Sequence, residues 1–263
     1  MEINGSTKIM GVIGNPVAHS LSPLIQNFFA QKLGNNIVYT AFDVTSQNFA
    51  AAVEGARALG ITGLNVTAPH KPQAAKLAAS LTPLAKQADA VNLLELTETG
   101  YVGHNTDIYG AKKALEYKGI DMSGKTVALV GAGGAARAAG VAVARLGAKK
   151  IFIINRTRAK AESLANILKM YYNIDTEICK LCDCAADVLI LAATPDFIPQ
   201  GLDRFGIIFD MNYHPPNRIP RAFGGPEMLV YQAALSYEII VGAPVSTEII
   251  DEILVKIKGR LLC

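Results

Sequence analysis

Four apolar residues, Val127-Ala128-Leu129-Val130, run directly into Gly131-Ala132-Gly133-Gly134-Ala135-Ala136, and a helical pattern follows. Strand, glycine turn and helix in that order make a dinucleotide-binding unit, and the spacing matches G-x-G-x-x-A. Gly131 permits the tight turn, Gly133 lets the backbone approach a pyrophosphate, and small Ala136 lets the helix sit close to the strand. The free N–H groups and positive dipole end of that helix suit phosphate. A bare glycine turn also serves simple close packing, so the reading depends on the elements around it.

Those elements support it. Val127–Val130, Ile151–Ile154, Val188–Leu191 and Ile207–Phe209 are nearly pure apolar runs, as expected for parallel strands covered on both faces. Helical patterns over 135–146 and 159–171 supply the crossovers. An earlier stretch alternates in the same way. A strand near Gly11–Ile13 leads to a helix from Ser22-Pro23, with serine as cap and proline in the first turn, ended by Gly34. A strand over 37–42, a helix over 49–59 and a short buried strand over 64–66 follow. The stretch near Gly100–Asp107 reads as turn-rich and separates the lobes. Ile249, Ile250, Ile253, Leu254 and Ile257 mark a final amphipathic helix.

The fold class is therefore α/β. At 263 residues the chain suits two lobes, and 51% apolar against 18% charged residues excludes a disordered protein. A net charge of +3 without basic clusters points to no nucleic-acid or membrane partner. No apolar run is long enough to span a bilayer, and Met1–Gly5 lacks the pattern of a secretory leader, so a cytoplasmic location is expected. Cys179, Cys182 and Cys184 could hold part of a metal site. No histidine or second cysteine pair lies near them, Cys263 being remote, so reduced thiols and no metal are the preferred reading.

The second strand of the dinucleotide unit selects the nucleotide. NAD enzymes carry an acidic residue there for the ribose hydroxyls. This chain has Asn155-Arg156-Thr157-Arg158 and then Lys160. A guanidinium grips a 2′-phosphate that a carboxylate would repel, which favours NADP (NADPH) over a merely solvated basic helix start.

Three polar motifs interrupt the first lobe: Gly14-Asn15-Pro16-Val17-Ala18-His19-Ser20-Leu21-Ser22-Pro23, Asn65-Val66-Thr67-Ala68-Pro69-His70-Lys71, and Ala90-Val91-Asn92 with Gly103-His104-Asn105-Thr106-Asp107. With Gly131–Ala136, Asn155–Thr157 and the late Tyr231-Gln232-Ala233-Ala234-Leu235-Ser236-Tyr237-Glu238, they occur in the order found in shikimate dehydrogenases, and the whole chain resembles that family. The resemblance implies an N-terminal α/β substrate lobe over 1–106, rejoined by helices in 232–263. It also implies a Rossmann-type NADP domain over 107–231. It gives Ser20 and Ser22 to the substrate carboxylate and assigns Asn65, Thr67, Asn92 and Gln232 to the ring hydroxyls and carboxylate. Tyr213 falls near the nicotinamide, and Lys71 with Asp107 becomes the catalytic pair. Gly131, Ala132, Gly133, Gly134 and Ala135 would face the dinucleotide, together with Asn155, Arg156, Thr157 and Lys160.

Read singly, Ser22 and Asp107 are also good helix caps, and an isolated lysine is usually a solvated charge. No histidine matches a catalytic position, so His19, His70 and His104 are assigned to packing or supporting hydrogen bonds. Leu93, Ala192-Ala193-Thr194 and Gln26-Asn27 depart from the common family pattern. The implied reaction is reversible reduction of 3-dehydroshikimate to shikimate by a monomer or homodimer. A quinate- or aminoshikimate-preferring paralogue and a non-catalytic NADP sensor are the alternatives.

Overall fold

The computed structural model describes residues 2–194, 196–213 and 219–262. The chain divides into two compact units, Met1–Thr106 with Val230–Ile253 and Asp107–Leu229 with Leu254–Cys263. Residues from Leu254 onward thus group with the second unit, whereas the family pattern carries all of 232–263 with the first.

In the first unit the elements run β1 (Lys8–Gly14), α1 (Ser22–Lys32), β2 (Ile37–Asp43), α2 (Phe49–Ala58), β3 (Gly63–Val66), α3 (Lys71–Leu77), β4 (Ser80–Leu81), α4 (Pro83–Ala88), β5 (Leu93–Thr97) and β6 (Gly100–His104). They form a six-stranded sheet in the order β2-β1-β3-β5-β6-β4. β1, β2 and β3 are parallel, while β5 runs antiparallel to β3 and β6 antiparallel to β5. All four residues of β3 are buried, and Leu64 and Val66 pack with Phe49, Val53, Ile61, Leu94 and Tyr101.

Two expectations need correction here. Ser22 does not cap α1: Leu21 holds the capping position in a helical conformation, and no side chain caps the helix. The helical conformation therefore begins one residue early, and Ser22 is buried inside the first turn. Nor is 100–107 mainly a turn, since Gly100–His104 is strand β6. Gly103 imitated a turn signal, but it is glycine because a Cβ there would lie 2.6 Å from the Leu81 side chain and 2.7 Å from that of Val91.

The second unit runs α5 (Asp107–Tyr117), β7 (Thr126–Val130), α6 (Gly134–Arg145), β8 (Lys150–Ile154), α7 (Arg158–Tyr172), β9 (Asp175–Ile178), β10 (Val188–Leu191), β11 (Ile207–Asp210) and β12 (Phe223–Gly224). Its sheet has the order β12-β11-β10-β7-β8-β9 with every pairing parallel. That is the doubly wound dinucleotide-binding order, whose switch point falls between the first and fourth strands, here β7 and β10. α8 (Gly225–Val241) and α9 (Thr247–Leu262) each contribute residues to both units. Glu227, only 3% exposed, meets Lys258 Nζ at 2.9 Å, which fixes the start of α8 to the last turns of α9.

Cys179 is half-buried, Cys182 exposed and Cys184 buried, all with free thiols. Cys184 packs with Leu189, Leu191 and Phe205. Cys263 lies outside the described residues. Among the described residues, no group of three His, Cys, Asp or Glu side chains could hold a metal ion, and no helix is long and apolar enough to cross a membrane.

Gly103→Ala should overpack the junction of β6, β4 and Val91, costing about 1–3 kcal/mol. Urea unfolding checks this, and an unchanged midpoint would show that the space is not limiting.

Candidate functional site

The first two motifs converge because β1 and β3 are parallel and end together. The third joins them through β5 and β6, the Val66 N–H donating to Asn92 O at 2.8 Å and the Asn92 N–H to His104 O at 3.0 Å. The Thr67 N–H donates to Ile13 O at 2.9 Å, Asn15 N–H to Ala68 O at 3.1 Å and Val44 N–H to Gly14 O at 3.0 Å. A Cβ on Gly14 would lie 2.4 Å from the Thr67 methyl, so the first and second motifs touch through a position only glycine allows. Asn15–Pro16 and Ala68–Pro69 are both cis peptides. Lys71 is the first residue of α3 and half-buried, and its carbonyl accepts from Val91 N–H at 3.2 Å. Ser20 is half-buried, and its Oγ accepts from the Ser22 N–H at 3.3 Å.

Three of the predicted residues, Asn65, Asn92 and Gln232, join one buried network. Asn65 donates from Nδ2 to Ser236 Oγ at 3.0 Å and to Asn92 O at 3.2 Å. Asn92 donates to Thr106 Oγ1 at 2.9 Å and to Gln232 Oε1 at 3.4 Å, and its Oδ1 accepts from Thr106 N–H at 2.6 Å. Ser236 Oγ lies 2.9 Å from Thr106 Oγ1 and donates to Gln232 O. Tyr39 donates to Asn65 Oδ1 at 2.8 Å. Burial pushes the Tyr39 phenol well above its ordinary pKa, partly offset by the adjacent Ser22 hydroxyl, so it stays a protonated donor. Tyr39, Thr106 and Ser236 were not among the expected site residues. Thr106 and Ser236 lay inside quoted motifs, whereas Tyr39 sat in a strand whose apolar run gave no reason to single it out.

Of the three histidines assigned to packing or supporting bonds, His70 and His104 are held by their neighbours, whereas His19 is not buried. His19 is exposed, His70 is buried, and His104 Nε2 meets Glu95 at 2.8 Å.

The remaining expected residues fall in the second unit. Asp107 opens α5 and is 5% exposed. Gly131 has φ +118°, its N–H donates to Ile154 O at 2.8 Å, and a Cβ there would meet Ala192 O at 2.7 Å. The turn is thereby held between the ends of β8 and β10. Gly133 is exposed, with open space where a Cβ would be, and it precedes the first turn of α6, which begins at Gly134 and Ala135. Ala132 is buried beneath the turn. Such a cradle fits a pyrophosphate on a helix N-terminus.

At the end of β8, Asn155 donates from Nδ2 to Thr157 O at 2.8 Å, which fixes the turn into α7. Arg158 pairs with Glu162 at 2.8 Å. Arg156 and Lys160 are exposed and make no ion pair among the described residues. After β11, Asn212 donates to Asp210 Oδ1 at 3.0 Å and to Ala193 O at 3.2 Å. Half-buried Tyr213 follows, and residues 214–218 lie outside the described residues.

Tyr39→Phe keeps the ring and strands Asn65 Oδ1. A destabilisation of about 1–3 kcal/mol in urea unfolding is expected, the cost of a buried unpaired acceptor. An unchanged midpoint would remove Tyr39 from the network.

A family model described as shikimate dehydrogenase substrate binding domain matches residues 12–94, and one described as shikimate / quinate 5-dehydrogenase matches residues 111–197. The shikimate dehydrogenase (NADP(+)) of Caldanaerobacter subterraneus subsp. tengcongensis is 32% identical over 284 residues, covering 99% of this chain and 100% of that one. The shikimate 5-dehydrogenase of Listeria monocytogenes, solved in complex with shikimate and NAD, is 28% identical with a TM-score of 0.84, over 97% of this chain and 98% of that one. A 5-ketofructose reductase of Gluconobacter is also similar, at 26% identity and TM-score 0.80 over 97% of this chain and 100% of that one. With both halves of the family pattern matched and a relative aligned end to end, this chain belongs to the shikimate dehydrogenase family.

Proposed function

We propose that the protein is an NADP-dependent shikimate dehydrogenase, interconverting 3-dehydroshikimate and shikimate. The observation that carries this reading is the buried network joining Asn65, Asn92 and Gln232, with Ser22 beside Tyr39 at its edge. In this reading the first unit is the substrate-binding and catalytic domain and the second the NADP domain. The enzyme acts in the cytoplasm on small molecules, as a monomer or homodimer, with no nucleic-acid or membrane partner.

The network can receive a polyhydroxylated ring by exchanging one hydrogen bond for another. Its amides and hydroxyls bond one another at present, and ring hydroxyls can take over those partners without leaving a buried group unpaired. Ser20 and Ser22 donate to the ring carboxylate, and Thr67 adds a hydroxyl beside Lys71. NADPH, when bound, supplies the hydride. Lys71 stabilises the negative charge that builds on the substrate carbonyl oxygen and delivers a proton to it. Asp107 orients that ammonium, and Tyr213 lines the nicotinamide side. Gly131 to Ala135 receive the pyrophosphate, while Arg156, flanked by Asn155, Thr157 and Lys160, grips the 2′-phosphate.

The test is spectrophotometric reduction of NADP by shikimate, with quinate, an aminoshikimate and a polyol of the 5-ketofructose type as parallel substrates. Fastest turnover with shikimate supports the reading. NADP binding without turnover of any of them overturns it in favour of a sensor. Lys71→Ala should lower kcat about 10²–10⁴-fold with a small change in KM, as expected for a general acid–base group; a raised KM at unchanged kcat would make Lys71 a binding residue. Arg156→Ala should weaken NADP about tenfold or more while leaving NAD nearly untouched. Equal losses for both nucleotides would remove Arg156 from the phosphate site.

A further inference from the structure

His70 is the side chain next to Lys71 that the chemistry above does not use, and it is only 1% exposed. Its Nε2 lies 2.6 Å from Val44 O, and its ring stacks on Phe49 with centroids 4.5 Å apart and planes 16° apart. A carbonyl oxygen only accepts, so the bond needs the proton on Nε2. Nδ1 is then a buried acceptor without a partner. A leucine or phenylalanine would fill this slot without stranding a nitrogen, so filling space does not account for an imidazole here.

Val44 explains what the bond achieves. Its N–H donates to Gly14 O at 3.0 Å, while its C=O accepts from His70. One residue, through the peptide groups on either side of its Cα, therefore ties the glycine that begins the serine-bearing loop to the residue preceding Lys71. The same two segments meet again where Asn15 N–H donates to Ala68 O. The His70 backbone is held as well: its N–H donates to Thr67 O at 2.9 Å, and its carbonyl accepts from Ala74 N–H at 2.9 Å as α3 begins.

We propose that His70 is a positioning residue: its bond to Val44 fixes the start of α3 against the first motif and so sets where the Lys71 ammonium stands relative to the serine-bound ring acid. The proposal rests on the reading of Lys71 as catalytic. Displacing a reacting group by about 1 Å can cost up to about a hundredfold in rate, whereas binding of the remainder of the substrate need not change.

The experiment compares His70→Phe, which keeps a ring to stack on Phe49 but has no donor, with His70→Gln, whose amide nitrogen can replace Nε2. Steady-state kinetics with shikimate and NADP should show kcat reduced about ten- to a hundredfold in His70→Phe. KM for shikimate should stay within about twofold, and most of the rate should return in His70→Gln. In a Lys71→Ala background, His70→Phe should cause little further loss, because both act through one group. Wild-type kcat in His70→Phe overturns the positioning role alone. So does a rise in KM at constant kcat, a loss that adds fully to Lys71→Ala, or equal losses of rate and melting temperature in both variants. Full turnover in Lys71→Ala overturns the catalytic reading and this proposal with it. Should His70→Phe not fold, His70→Asn, whose shorter amide falls short of Val44, takes its place with the same expectations.

Discussion

Asn65 and Asn92 are primary amides shut away from water, and much of the first unit is arranged to give them partners. A buried amide left unpaired costs about 1–3 kcal/mol, a large fraction of a domain's net stability. The requirement reaches across the chain: Tyr39 comes from β2, Thr106 from the loop after β6, and Gln232 and Ser236 from one face of α8. Packing alone would tolerate small slips among these elements. Hydrogen bonds between 2.6 and 3.4 Å do not, so the polar centre sets the register that the apolar shell of Leu64, Val66 and Leu94 then fills.

The second unit follows a different constraint. Among the described residues its parallel sheet carries no buried polar centre comparable to the amide network; its strand order reverses between β7 and β10, and the glycine turn follows β7 there. Gly131 satisfies two demands at once, a left-handed φ and a carbonyl from Ala192 in the space of its missing Cβ. Gly133 answers to neither, and the space where its Cβ would stand is open. Arg158, unfavourably placed at the positive end of α7, is paired with Glu162, while Arg156 is exposed.

Much of this was legible in the residues. The doubly wound sheet was clear from its apolar runs, because strands covered on both faces need little polar alternation. Asn65 and Asn92 lie in polar motifs that interrupt apolar stretches, whereas Gln232 was legible only through the family resemblance. Less legible were elements whose signals served two purposes. Gly103 looked like a turn residue but is small because Leu81 and Val91 press on it, and Ser22 looked like a cap but lies inside the helix. Tyr39 was hidden for another reason: in a strand its ring reads as core, and only the partner of its hydroxyl, 26 residues away, reveals its polar task.

The first unit is discontinuous along the chain, closing only with Val230–Ile253. During synthesis its six strands leave the ribosome well before Gln232 and Ser236 exist. Until then Asn65 and Thr106 must stay hydrated, and the nascent sheet carries a wet seam that α8 later seals. Completion of the amide network is thus tied to synthesis of the intervening residues 107–229, so a ribosome-bound first segment can pair its strands without sealing Asn65 and Thr106 from water.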